Sequence, residues 1–136
     1  MQARKKGNAQ GIDVSRYQGK IDWKAVKASG ISFAFIKASQ GKLYRDKTFI
    51  GNAQAARAVG VLVGAYHYVD DSAKTPEDAR KEAANFVSAI NSAGGISALD
   101  LPPVMDYESN KSGLSKAEHT AVARTFRFHA NDVLFL

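Results

Sequence analysis

Apolar runs of strand length alternate with helix-patterned segments four times along this chain, and that alternation limits the folds open to it more than any other feature. The runs are Gly11-Ile12-Asp13-Val14-Ser15, Ile31 to Ser39, Val61 to Val69, and the short segment through Val104 and Asp106 that follows Pro102-Pro103. Aromatic and β-branched residues crowd the second and third, as half-buried or buried strands require. The third is apolar on both faces until its C-terminal end, which predicts a parallel sheet covered by helices.

The intervening segments carry helix signals. Asp22 reads as the N-cap of a helix through Trp23, Val26 and Lys27 that Ser29-Gly30 stops. A second helix over about Thr48 to Val59 sets Phe49, Ala53, Ala56 and Val59 near one face and ends at Gly60. Thr75-Pro76-Glu77-Asp78 combines a capping residue, proline at the first helical position and acids in the first turn. The helix it opens stripes Ala79, Ala83, Phe86, Val87 and Ile90 along one side until Gly94-Gly95. Ser115-Lys116-Ala117-Glu118 is a capping box opening a fourth helix with Val122 and Phe126 inward. The stretch from Gln40 to Lys47 reads as a polar loop. Strands joined by helical crossovers form right-handed βαβ units, so the expected class is α/β with a parallel sheet.

A chain of 136 residues suffices for one domain with a real core. Residues 1–10 read as a polar N-terminal tail, basic but lacking the apolar stretch of a secretory signal peptide, and residues 11–136 as the single domain. No run approaches the ~20 apolar residues of a membrane span, so no membrane insertion is expected. The absence of cysteine removes disulfides and thiolate metal sites and leaves the compartment open. No P-loop, G-x-G-x-x-G or nucleophile elbow occurs, and neither a cofactor nor a metal is expected. His119 and His129 lie on the fourth helix without metal-ligand spacing, which favours solvated roles. A formal charge of +6 suits an anionic partner, either nucleic acid or an anionic cell-wall polymer. The basic residues are scattered, without a basic helix or aromatic-interleaved stripe, so a solvated basic surface and no nucleic-acid partner are expected.

Chemistry collects where parallel α/β folds keep it, at the C-terminal ends of the strands. Asp13, Lys37, Tyr66 with Tyr68, and Asp106 with Glu108 all fall there. Alternation along a strand points Asp106 and Glu108 the same way and Tyr107 the other. Two converging acids must be solvated, paired or used, and the competing reading is an Asp capping a loop beside a solvated Glu. Tyr66 and Tyr68 share a face with Gly64, while Val63, Ala65 and His67 share the opposite, helix-facing side. Tyrosine rings beside carboxylates suit sugar binding, with ordinary core packing as the alternative; His67 reads as structural.

These same residues carry a resemblance. Gly11-Ile12-Asp13-Val14-Ser15-Arg16-Tyr17-Gln18-Gly19 with Ile21-Asp22-Trp23 resembles the opening of glycoside hydrolase family 25 lysozymes. Phe35-Ile36-Lys37-Ala38-Ser39-Gln40-Gly41, Gly64-Ala65-Tyr66-His67-Tyr68 and Pro102-Pro103-Val104-Met105-Asp106-Tyr107-Glu108 continue it in the family's order. The resemblance implies a muramidase cleaving the β-1,4 link between N-acetylmuramic acid and N-acetylglucosamine in peptidoglycan. It implies Glu108 as general acid/base and Asp106 as the group that orients the substrate's acetamido, whose carbonyl oxygen acts as nucleophile. It implies that Asp13 and Tyr66 line the sugar site, and Tyr68 and Lys37 complete the expected substrate-binding set. Substrate assistance of this kind departs from the two-carboxylate scheme of most glycosidases. Glu108 would need to hold a proton near neutrality, which a neighbouring Asp106 carboxylate favours.

The family fold is an irregular (β/α) barrel of about eight strands, whereas this sequence supplies four βα units. The expectation is therefore half of a TIM-like barrel, a catalytic domain incomplete at its C-terminal side, beyond Phe126 unlike the family. Gln40 stands where relatives usually carry glutamate. An open half-barrel leaves strand edges and an apolar inner face exposed, which predicts pairing with a second copy and weak or absent lytic activity. The other class of function is a non-catalytic, glycan-holding or oligomerising wall fragment. Location is expected to be endolysin-like, cytoplasmic before release to the cell wall.

Overall fold

The computed structural model describes residues 6–134, so residues 1–5 of the expected tail lie outside the described part. Strand β1 (Gln10–Val14) leads through a one-turn 3-10 segment at Arg16–Gln18 to helix α1 (Trp23–Ala28), then to β2 (Ile31–Gln40). A two-residue strand β3 (Tyr44–Arg45) precedes α2 (Phe49–Ala58), β4 (Leu62–Tyr68) and α3 (Pro76–Ser92). The last elements are β5 (Val104–Asp106) and α4 (Lys116–Leu134). Strands β1, β2, β4 and β5 lie side by side in that order, each pair parallel. The α/β class and the four βα units are as read from the sequence, and the sheet is open rather than closed into a barrel.

The helix starts follow their caps. Asp22 accepts from the Ala25 N–H at 3.0 Å, and Thr75 and Asp78 cap α3 reciprocally. Ser115 and Glu118 do the same before α4. Each cap satisfies amides that the first turn leaves without a partner, an effect worth about 1 kcal/mol.

One face of the sheet carries the core. Ala34, Ile36, Val63, Ala65 and His67 are fully buried. They meet Phe49, Ala53 and Ala56 of α2, Ala83, Phe86 and Ile90 of α3, and Val122, Phe126 and Ala130 of α4. The predicted stripes are thus the buried ones, each large side chain contributing about 1.5–3 kcal/mol by leaving water.

Three expectations are corrected. The tail ends a residue earlier, because Gln10 already pairs with Ile31. The stretch Gln40–Lys47 is not simply a loop: β3 folds back antiparallel on the end of β2, and Asn85 pins it by donating to the carbonyls of Gly41 and Tyr44 at 3.0 Å. Nor is β4 buried on both faces, since Leu62 is 49 % exposed. The second face packs mainly on itself. The Phe33 ring lies across Gly11 and the Phe35 ring across Gly64, where an added Cβ would stand 2.1 and 2.4 Å from ring carbons. Glycine at these two positions is what lets the rings lie flat on the neighbouring strand.

Candidate active site

Register gathers the predicted residues on that open face. Gly11 pairs with Phe33 and Asp13 with Phe35; Phe35 pairs with Gly64 and Lys37 with Tyr66; Tyr66 pairs with Val104 and Tyr68 with Asp106. Side chains alternate along each strand, so Asp13, Lys37, Tyr66, Tyr68 and Asp106 all rise from one side near the C-terminal ends. Glu108 lies just past the end of β5 rather than within it, but it reaches the same place. Asp13, Phe35, Tyr66, Asp106, Tyr107 and Glu108, with Val104 and Met105, line one open cleft of ≈ 480 Å³.

Charge crowds this cleft. Burial raises the Tyr66 hydroxyl to about 12, with Asp13, Asp106, Asp46 and Glu108 adding to the effect. Tyr66 therefore stays a neutral phenol among acids, able to donate a hydrogen bond. Burial also lifts Asp106 above the ordinary carboxylate range, Glu108 and Asp13 push it further, and Lys37 pulls it down. Asp106 is partly buried while Asp13 and Glu108 are exposed, so the cleft offers one sheltered carboxyl and two open to solvent.

Lys37 and Tyr68 sit on one flank of these acids. The Lys37 ammonium lies 5.1 Å from the centre of the Tyr68 ring and donates to Gln40 Oε1 at 2.6 Å. Plain alternation would put Gln40 on the opposite face from Lys37. The β2–β4 register slips by a residue between Lys37 and Ser39 and turns Gln40 to the open side.

His67 faces the helices, as its parity predicts. Its Nδ1 is 2.8 Å from Ser39 Oγ and its Nε2 is 2.9 Å from Glu82 Oε2, all three residues fully buried. The connectivity is that of a Ser-His-acid triad, yet no lining residue of the acid cleft belongs to it. Burial lowers the imidazole to about 3 and raises Glu82 to about 8. Near neutrality the contact is thus an uncharged hydrogen bond rather than an ion pair. His119 is also corrected: its ring packs 4.8 Å from that of Tyr107, half-buried rather than solvated.

Two acids that sequence reasoning passed over hold the site loops. Buried Asp46 accepts from the Arg16 N–H at 2.9 Å and from the Thr48 N–H and Oγ1–H, tying the β1 loop to the start of α2. Asp71, in the loop after β4, accepts from Ser109 Oγ–H and from the Lys111 N–H at 2.8 Å, which fixes the segment carrying Glu108. The Ser109 hydroxyl and the backbone amides hold Asp71 below the usual carboxylate range. The long-range half of each role leaves no local pattern, because Arg16 lies 30 residues from Asp46 and Lys111 lies 40 from Asp71. Glu82 did leave a signal, lying on the apolar stripe between Ala79 and Phe86.

Comparison with known proteins identifies the family and the fold. The profile of Glycosyl hydrolases family 25 matches residues 12–131. The chain is 42 % identical over 106 residues to Lysozyme M1 of Streptomyces globisporus, covering 76 % of this chain and 34 % of that protein. The crystal structure of the bacterial lysozyme from Streptomyces coelicolor superposes with a TM-score of 0.81 at 34 % identity, over 96 % of this chain and 61 % of that one. A family 25 glycosyl hydrolase from Bacillus anthracis gives the same score at 27 % identity, over 98 % and 60 %. The chain spans about a third of that first relative and about three-fifths of the two solved structures. With a family profile over nearly its whole described length and the fold to match, this chain belongs to glycosyl hydrolase family 25.

Proposed function

We propose that residues 11–136 belong to a glycoside-hydrolase catalytic domain and carry the acid side of a peptidoglycan-cleaving lysozyme site. The observation carrying this reading is the convergence of Asp13, Tyr66, Asp106 and Glu108 from three strands and a loop into one open cleft.

Glu108, exposed at the mouth, protonates the glycosidic oxygen between N-acetylmuramic acid and N-acetylglucosamine as the bond breaks. The substrate's acetamido oxygen attacks the anomeric carbon from the other side, giving a cyclic oxazolinium-type intermediate. Asp106 orients the acetamido N–H and stabilises its developing charge. Glu108, now ionised, takes a proton from the water that opens the ring. Tyr66 and Asp13 hydrogen-bond the sugar beside the scissile bond, with Lys37 and Tyr68 flanking it. Action at the cell wall, in the manner of an endolysin, follows from the substrate.

The test is reducing-end release from purified peptidoglycan. Release that falls by at least about 10²-fold in Glu108→Gln supports the assignment, from the usual worth of general acid–base catalysis. Equal release by both proteins contradicts it.

A second reading is favoured by the exposed apolar groups of the open face, Leu62 at 49 % and Val104 at 37 %. In that reading the chain holds wall glycan without cleaving it and pairs with a second copy along the β5 edge. Capture on peptidoglycan without reducing ends, together with a dimer mass in light scattering that dissociates when Val104 is replaced by Lys, would select it.

A further inference from the structure

Beside the acid cleft lies a smaller recess of ≈ 210 Å³ lined by Arg16, Tyr17, Lys37, Gln40, Tyr44 and Asp46. It opens on the same face, because Lys37 is the register partner of Tyr66 in the cleft. Its character is opposite. The Arg16 guanidinium carbon stands 5.0 Å from the centre of the Tyr17 ring and 5.6 Å from that of Tyr44. The Lys37 ammonium is 5.9 Å from the Tyr44 ring and 5.1 Å from that of Tyr68. Aromatic faces thus hold both cations in place, which leaves the edge donors of the guanidinium available for a planar, forked acceptor.

The acid in the recess forms no ion pair with either of them. Both Asp46 oxygens accept hydrogen bonds, one from the Arg16 backbone N–H and the other from the Thr48 N–H and hydroxyl. Among the described residues, neither the Arg16 guanidinium nor the Lys37 ammonium is in a salt bridge. The ammonium's neighbour is the neutral Gln40, at a position that an acid would have turned into an ion pair. Two cations that share the Tyr44 ring, beside a cleft that β2 also lines through Phe35, suit an anion carried on the sugar.

We propose that Arg16 and Lys37 form a carboxylate subsite that reads the 3-O substituent of N-acetylmuramic acid. The carboxylate is that of the lactyl ether itself where the peptide has been removed, or one of the stem peptide where it is present. The subsite rests on the glycan reading of the acid cleft and adds to it a means of telling a muramyl glycan from a plain N-acetylglucosamine polymer. The guanidinium takes the carboxylate in a fork and Lys37 adds a point charge.

The experiment measures dissociation constants by calorimetry, at low ionic strength, for three ligands. They are chitotetraose, the N-acetylglucosamine–N-acetylmuramic acid tetrasaccharide with free lactyl groups, and the same tetrasaccharide bearing stem peptides. The protein is expected to prefer at least one carboxylate-bearing ligand over chitotetraose by about tenfold, the usual worth of a charge-assisted hydrogen bond. Whichever of the two shows the preference identifies the carboxylate source. In Arg16→Gln the ratio is expected to fall to about one, and Arg16→Lys to restore part of it; thermal unfolding confirms that each variant is folded. A wild-type ratio of one, or a ratio that survives in Arg16→Gln, overturns the subsite while leaving the acid cleft standing. Failure to bind any of the three overturns the glycan reading and the subsite with it.

Discussion

On the helix-covered side of the sheet Ala34, Ile36, Val63 and Ala65 are sealed from water, and on the other side of the same strands Leu62 is half exposed. Each side also carries a polar cluster. Ser39, His67 and Glu82 form a hydrogen-bonded chain under α3, and Asp13, Tyr66, Asp106 and Glu108 ring an open cleft. The buried chain has the connectivity usually associated with a nucleophile, and the open cluster has looser geometry. What separates them is access. The sealed network bonds both ring nitrogens of His67 internally and specifies packing, whereas the open acids are within reach of a ligand.

The comparison breaks most readily at the core. Phe126→Ala, on the covered side, is expected to lower stability by about 3–5 kcal/mol. Leu62→Ala, on the open side, is expected to cost well under ~1 kcal/mol, because little surface is withdrawn from water there. Denaturant unfolding of the two variants checks the contrast. If Leu62→Ala proves as costly as Phe126→Ala, the open face is covered in solution.

Gly64 tests whether the open face is nonetheless packed. A Cβ there would stand 2.4 Å from the Phe35 ring and 3.2 Å from Leu101 Cβ. Gly64→Ala should therefore destabilise by about 1–3 kcal/mol, the usual cost of overpacking. It should also displace the Phe35 ring, which lines the acid cleft, so ring resonances of Tyr66 are expected to shift with it.

The buried pair leaves a signature in pH. Glu82 is raised from 4.5 to about 8 in the folded protein, so the folded state binds more protons than the unfolded state between those values, and stability falls as pH rises through them. His67 is lowered from 6.5 to about 3, so in that window the unfolded state binds more protons and stability rises with pH. The two trends oppose each other between 4.5 and 6.5, and above 6.5 only the decline due to Glu82 remains. Glu82→Gln should flatten that decline between pH 6.5 and 8 in thermal unfolding. A decline that persists unchanged would assign it to other groups.

The smallest effect is expected at Asp71, whose carboxylate holds the loop that follows Glu108 through Ser109 and Lys111. Asp71→Asn should leave global stability unaltered and speed amide exchange at Ser109 to Gly113. Exchange that stays as slow as in the parent would mean that the Asn110–Leu114 contacts suffice to hold the loop.

The sequence was most legible where periodicity carries the information. The apolar stripes of α3 and α4, the parity that sets Tyr66 and Tyr68 opposite His67, and the acids at strand ends follow from 3.6- and 2-residue repeats. It was opaque where a side chain bonds the backbone of a distant segment, as Asp46 does to Arg16 and Asn85 does to Tyr44. Parity itself failed after Ala38, because a register slip is set by how β2 fits β4 and not by β2 alone. The Arg16–Lys37 recess was hidden for both reasons: it needs the β3 hairpin to bring Tyr44 across and the slip to bring Gln40 round.

The open face, and not the buried triad-like chain, is expected to meet the glycan. Ring resonances of tyrosine and histidine report on the two sides separately during a titration with the muramyl tetrasaccharide. The Tyr66 and Tyr68 ring signals should move to saturation while those of His67 stay in place. Stationary tyrosines, or a His67 ring that moves during the titration, would mean that the glycan binds elsewhere.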